Sequence, residues 1–182
     1  SSDNEDAFTA TVDSTAASGT YDIDVKALAK AHQLASNPFV GGNGSVVGTG
    51  TLNITQGTNG FTVVIDENNN TLTGIRDAIN KATSNTGVQA TLIHEQGGTR
   101  LVLSSTKTGA SNAIQVNQSG GDGGLQQLVY QTTGTKNMTE LQPAQDSHIL
   151  VAGYDHYAPT NQVADAIDGV TLTLTGTTEV DT

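Results

Sequence analysis

The sequence predicts a mainly β protein with one or two short helices (a β-rich α+β class), arranged as two small antiparallel β domains, one inserted in the other. Three observations predict it. Runs in which apolar and polar residues alternate with period two recur along most of the chain. Glycine, with 21 residues against 3 prolines, falls mostly between those runs, where turns are needed. Both ends of the chain read as strands of one sheet, around a self-contained middle. That pattern places 1–42 together with 137–182 in a discontinuous β-rich domain and 43–136 in the inserted one.

Taken in order, Phe8-Thr-Ala-Thr-Val12 alternates, and Tyr21-Asp-Ile-Asp-Val25-Lys-Ala27 does so again after the turn signal Ala17-Ser-Gly19-Thr20. The two read as a hairpin. Alternation continues through Leu28 to Leu34, where a helical face of Leu28, Ala31, His32 and Ala35 competes and the strand is preferred. Asn37-Pro38 ends the element, because proline disfavours a helical residue before it. The glycine-rich stretch from Phe39 to Gly50 reads as a linker or boundary. Thr51–Thr55 and Phe61–Ile65 are strands joined by the turn Gln56-Gly-Thr-Asn-Gly60.

The period then changes. Leu72, Ile75, Ile79 and Ala82 lie on one helical stripe, with Thr71 as N-cap, Asp77 and Lys81 as a favourable i, i+4 pair, and Gly87 as the stop. Val88–Ile93 and Thr99–Ser104 form the next hairpin around Gln96-Gly-Gly98. Asn112–Val116 adds a strand, Gly120–Gly124 a flexible loop, and Leu125–Tyr130 a short element. His148–Ala152 is a strand. Asn161 is placed to cap a second short helix carrying Val163, Ala164, Ala166 and Ile167, ended by Gly169. Val170-Thr-Leu-Thr-Leu174 is a strand. A faint echo links Asp77-Ala-Ile-Asn80 before Gly87-Val88 with Asp165-Ala-Ile-Asp168 before Gly169-Val170.

Composition narrows the function. Seven basic residues face 18 acidic ones, for a formal net charge of -11, which disfavours a nucleic-acid partner. No apolar run reaches the ~20 residues of a membrane-spanning helix, so membrane insertion is not expected. The opening SSDNEDAF lacks the basic and apolar regions of a secretory signal. Cysteine is absent, which leaves no disulfide framework and no thiolate metal site.

No catalytic, cofactor-binding or metal-binding residue is assigned, and no cofactor and no enzymatic activity are expected. His32, His94, His148 and His156 have no metal-ligand spacing among them. The cluster Tyr154-Asp-His-Tyr157 reads as an exposed loop between Gly153 and Pro159. The glycines at 41, 42, 44, 48 and 50 lack the Gly-Lys-Ser/Thr of a phosphate loop. Asp66-Glu-Asn-Asn-Asn70 opens like a calcium loop, but its sixth position is Thr71 rather than glycine, and a strand precedes it. It reads as a strand-to-helix turn.

Several phrases, in order, resemble the flagellar filament cap family, also called hook-associated protein 2. The run Gly19-Thr-Tyr21-Asp-Ile-Asp-Val25 through Leu34-Ala-Ser36 is similar to the stretch that follows that family's first coiled-coil arm. Val47–Ile54, Thr71–Asn80, Gly87–Thr91 and Arg100–Ser105 resemble the motif shared by hook-associated proteins and some flagellins. Gln145-Asp146, Val151-Ala-Gly153 and Asn161–Leu174 resemble the close of the same region.

The resemblance implies two β-rich head domains, one inserted in the other. It implies a homo-oligomeric cap at the extracellular, distal tip of the flagellum, exported through the flagellar secretion apparatus, which positions flagellin for incorporation. In some pathogens such heads adhere to host mucin or a surface glycan. The family's heptad-bearing arms are not seen in these 182 residues, so the chain is expected to be an excised piece. Two other readings stand beside the cap: a β-rich adhesin-like binding module, or another axial protein (a hook–filament junction protein or a flagellin outer domain).

Overall fold

Where apolar side chains alternate, strands form; which strands meet is set over long sequence distances. The computed structural model describes residues 7–85 and 87–178, and the chain divides into two units. Unit 1 comprises residues 1–30, 108–110 and 144–182, and unit 2 comprises 31–107 and 111–143. Residues 1–6 and 179–182 of the predicted first domain, including most of the SSDNEDAF opening, lie outside the described residues.

Among the described residues, unit 1 holds two three-stranded sheets. In the first, β1 (Phe8–Val12) pairs antiparallel with β13 (Val170–Leu174), which pairs with β12 (Gln162–Ile167). In the second, β10 (Ser147–Val151) lies between β11 (Tyr154–Ala158) and β2 (Ile23–Ala27). The first and last strands therefore share a sheet, with Phe8 opposite Leu174. Ala7, Phe8, Val25, Ile149, Ala158, Val163, Leu172 and Leu174 form the buried core of this unit.

Three expectations fail in unit 1. The predicted hairpin of 8–12 with 21–27 does not form: its two strands enter different sheets. The Asp13 carboxylate accepts the Thr15 N–H at 2.7 Å and Asp13 N–H donates to Gly169 O at 2.9 Å, so the chain turns away after β1. The predicted helix at 161–168 is instead strand β12. Asn161 does not cap; its side chain accepts from Ala29 N–H at 2.7 Å and donates to Ala29 O at 3.1 Å. Pairing with β13 then wins over local helical spacing, and a bulge between Val163 and Ile167 absorbs the misfit in period. Finally, Tyr154–Tyr157 is not a loop but most of β11. Ala152 and Gly153 both have positive φ, 50° and 85°, as a two-residue hairpin turn of type I′ requires.

Unit 2 also holds two sheets. One has the order β6 (Val88–Glu95), β7 (Gly98–Thr108), β3 (Ala31–Ala35), β9 (Thr139–Gln142). The other has β4 (Gly50–Gln56) between β5 (Asn59–Ile65) and β8 (Ile114–Ser119). The 31–42 segment, read in the sequence with the termini, belongs to unit 2 because β3 lies between β7 and β9. The glycine-rich stretch is not a free linker. Phe39 bridges Thr99, Val47 is buried, and Val47 N–H donates to Asn70 O at 2.8 Å.

The helix α1 (Leu72–Lys81) forms as its stripe predicts. Thr71 Oγ1 accepts from Gly74 N–H at 3.1 Å, and Leu72, Ile75 and Ile79 are buried. Each such side chain contributes about 1.5–3 kcal/mol through removal from water, far more than the cap or any surface pair. The helix ends at Lys81, six residues before Gly87. Asp77 pairs with neighbouring Arg76 at 2.6 Å rather than with Lys81. Asn80 then acts as a substitute strand residue, accepting from Ala90 N–H and donating to Ala90 O, both at 2.8 Å.

The Gly120–Gly124 loop is packed, not free. Asp122 Oδ1 accepts from Thr49 N–H at 3.0 Å and from Gly124 N–H at 2.9 Å. These bonds hold the Asp122 carboxyl below the usual carboxylate range. Behind it a short 3-10 turn, Gly124–Leu128, buries Leu125 and Leu128 in the unit 2 core.

Candidate interaction surfaces

The fold places two of the four histidines in each unit, and each is hydrogen-bonded to a neighbouring side chain. His32 is fully buried in unit 2. Its Nδ1 accepts from Ile114 N–H at 2.8 Å, so the Nε2–H donates to Glu140 Oε1 at 2.9 Å. Its ring lies 5.7 Å from that of Tyr130, which is also buried. Burial first, and the Glu140 carboxylate second, push the Tyr130 hydroxyl up to about 12. His94 Nδ1 meets Thr99 Oγ1 at 3.0 Å.

In unit 1, His148 and Tyr157 are cross-strand partners on β10 and β11 and stack with centroids 4.3 Å apart and 11° between planes. His148 Nε2–H donates to Asp155 Oδ1 at 2.6 Å, and His156 Nε2–H to Asp165 Oδ1 at 3.0 Å. On β2, Asp24 pairs with Lys26 and accepts from the Thr178 hydroxyl. Lys26 first, then Thr178, hold the Asp24 carboxyl below its usual range. Among the described residues no three His, Asp or Glu side chains gather as metal ligands would.

The Asp66–Asn70 segment spends its polar atoms on a local turn and on neighbouring backbone, Asn69 Nδ2 donating to Val64 O at 3.1 Å and Asn70 O accepting from Val47 N–H at 2.8 Å. Asp66 Oδ1 accepts from Asn68 N–H at 2.8 Å, and Asn69 Oδ1 accepts from Asp66 N–H at 2.7 Å. The glycines between 41 and 50 form a short 3-10 turn at Gly42–Gly44 and the entry into β4. Neither segment directs converging ligands at an empty point.

Among the described residues of unit 1, grooves flank the 13–22 loop on two sides. One, of about 780 Å³, runs beside edge strand β1 and is lined by Phe8, Ala10, Val12, Ile23, Val170 and Leu172 among others. The other, of about 570 Å³, has Tyr21, Tyr154 and Ile167 in its walls, with Asp155 and Asp168. A third, polar groove of about 710 Å³ lies in unit 2 beside Gln126, Gln127, Lys136 and Asn137.

Charge divides unevenly. By sequence, unit 1 holds 12 of the 18 carboxylates and 2 of the 7 basic residues, Lys26 and Lys30, a formal charge of -10. Unit 2 holds the remaining 6 carboxylates and 5 basic residues, a formal charge of -1. Unit 1 draws these charges from segments far apart in the chain.

Open-edged antiparallel sheets in two units, with grooves along their surfaces, define the class: an antiparallel β module. Residues 1–32 match the flagellar hook-associated protein 2 N-terminus family, and residues 51–107 match the flagellin hook IN motif. The chain is similar to the crystal structure of the flagellar cap protein FliD D2–D3 domains from Escherichia coli. The TM-score is 0.87 at 32% identity, over 96% of this chain and 90% of that one. The chain belongs to the flagellar hook-associated protein 2 family, the flagellar cap proteins.

Two further relatives agree. FliD (HAP2) from Pseudomonas aeruginosa PAO1 has a similar structure, with a TM-score of 0.85 and 35% identity over 96% of this chain and 80% of that one. The B-type flagellar hook-associated protein 2 of Pseudomonas aeruginosa is 36% identical over 98% of this chain and 40% of its own length. The chain thus spans about two fifths of the length of the curated relatives it matches.

Proposed function

We propose that this chain is the head region of a filament cap, which assembles with its own copies at the extracellular, distal tip of the growing flagellum and promotes ordered flagellin incorporation. Its action is mechanical and surface-borne rather than catalytic. The single observation that carries the reading is the extent of the likeness. The flagellin hook IN motif covers only 51–107, whereas the match to the flagellar cap D2–D3 domains runs through both units. An axial protein sharing the motif alone would leave unit 1 unmatched. The absence of cysteine suits a chain that leaves the cell without forming disulfides on the way.

Immunogold electron microscopy on the source bacterium, with antibody raised against these 182 residues, tests the proposal. Gold confined to the distal filament tip is the expected result. Label along the shaft or at the hook junction would reassign the chain to another axial component. Decoration of other surface structures, with bare flagella, would reassign it to an adhesin.

A further inference from the structure

The chain enters unit 2 at residue 31, returns to it at 111 and leaves it at 143. His32 lies on β3 in the entering segment, Ile114 opens β8 in the returning one, and Glu140 lies on β9 in the leaving one. One imidazole joins all three. Its Nδ1 accepts from Ile114 N–H at 2.8 Å, and its Nε2–H donates to Glu140 Oε1 at 2.9 Å. Both His32 and Ile114 are fully buried.

The two bonds respond to a proton in opposite ways. A neutral imidazole has one donor and one acceptor, and here both are used. A proton taken from solvent at Nδ1 turns that acceptor into a donor, so the buried Ile114 N–H is left facing another N–H. The Nε2 contact instead becomes a charge-assisted bond to the Glu140 carboxylate. Glu140 is the anion placed to meet that charge. Strand β8 carries no charged residue, and on β7 Arg100 is engaged by Glu95 and Ser36 O while Lys107 is exposed, as is Lys30 ahead of β3. Tyr130, whose ring is 5.7 Å from that of His32, stays protonated because burial first and Glu140 second push its hydroxyl up to about 12. Lys136 Nζ stands 5.6 Å from the Tyr130 ring centre. Loss of the Ile114 bond leaves β8 in its sheet, since β4 pairs with it from Gln56 opposite Ile114 to Thr51 opposite Ser119.

We propose that His32 is a proton-operated clamp on the segments by which the chain enters, returns to and leaves unit 2. Neutral, it binds all three. Protonated, it keeps the leaving segment through Glu140 and releases the returning one at Ile114. Imidazole is the side chain suited to such a device, because its charge changes in mildly acidic surroundings that leave ordinary carboxylates ionised. Residues 111–114 therefore loosen on mild acidification while the rest of unit 2 stays folded. The clamp lies within unit 2 and is independent of the cap assignment.

The test follows the full 182-residue, ¹⁵N-labelled chain by nuclear magnetic resonance from about pH 8 to about pH 4. Ring-nitrogen shifts read the protonation of His32, and hydrogen exchange, corrected for its intrinsic pH dependence, reads the protection of single amides. The Ala90 amide is the control, because it too is held by a side chain, the Asn80 Oδ1 at 2.8 Å, but one that does not titrate. As the His32 ring gains its proton, Ile114 should lose protection about tenfold while Ala90 keeps its own. Glu140→Gln keeps an acceptor but removes the counter-charge, and should move that loss to lower pH by about one unit or more. His32→Asn sets a non-titrating oxygen near the Nδ1 position, and Ile114 should then track Ala90 at every pH. The proposal is overturned if, in the parent chain, Ile114 and Ala90 lose protection together. It is equally overturned if the ring stays neutral until the whole unit unfolds, or if His32→Asn leaves the selective loss at Ile114 in place.

Discussion

Gly121 and Gly123 offer a paired perturbation in which backbone angle is held constant and only space differs. Their φ values are 74° and 85°, both in the left-handed region. Alanine there costs about 1–2 kcal/mol, of which roughly 0.4–1 is offset because the unfolded chain also becomes less free. At Gly123 nothing lies within 4 Å of an added Cβ, so Gly123→Ala should destabilise by only about 0.5–1 kcal/mol. At Gly121 the added Cβ would overlap the Thr49 carbonyl oxygen outright and sit 2.7 Å from Gly50 Cα. Those are backbone atoms of the β4 entry and cannot rotate aside. Overpacking of this kind costs about 1–3 kcal/mol, so Gly121→Ala should lose about 3 kcal/mol in all. Urea denaturation followed by far-ultraviolet circular dichroism reads the difference as a shift in midpoint at constant slope. Equal losses for the two variants, within about 0.5 kcal/mol, would refute the close approach of this loop to Thr49.

Three more outcomes follow from particular contacts. His32→Phe keeps a ring but leaves Ile114 N–H buried without its acceptor, and should cost about 1–3 kcal/mol in the same assay; a loss below ~0.5 kcal/mol would contradict the bond. The Asp122 carboxyl, held below 3.8 in the fold, contributes stability that is present above the unfolded value and lost as pH falls through the lower folded one. The stability gap between the parent and Asp122→Asn should therefore narrow on acidification below about pH 4, and a gap constant down to pH 2 would sink that account. Residues 31–143, expressed alone, should unfold in one cooperative transition, because their core cluster draws only on their own residues; a non-cooperative melt would show that the inserted unit is not an independent domain.

Much of the secondary structure was legible because it is local. The β4–β5 and β6–β7 hairpins announce themselves by alternation around glycine turns, and both pair residue for residue. Helix α1 carries its own stripe and its own cap. Strand β11 was missed because its polar–aromatic residues show no apolar alternation. The one local cue was Ala152-Gly153, a weaker turn signal than Asn-Gly. As for the surfaces, Tyr154 stood in a cluster the sequence singled out, whereas Tyr21 did not, and only the fold, with Ala152 N–H donating to Asp22 O at 2.8 Å, brings them to one groove.

The echo Asp77-Ala-Ile-Asn and Asp165-Ala-Ile-Asp marks the limit of the sequence taken alone. The first copy is helical, since Thr71 caps it and Leu72, Ile75 and Ile79 bury one face. The second is a strand, since Asn161 is bonded to Ala29, 132 residues away in the chain, and β13 offers a ladder. By itself the sequence determined what each segment could bury and where the chain could turn, because those depend on neighbours a few residues apart. Tertiary structure alone decided that β1 and β2 enter different sheets, that 162–167 is a strand, and that 31–42 joins unit 2. Such pairings are sums over residues distant in sequence, and no local pattern records them.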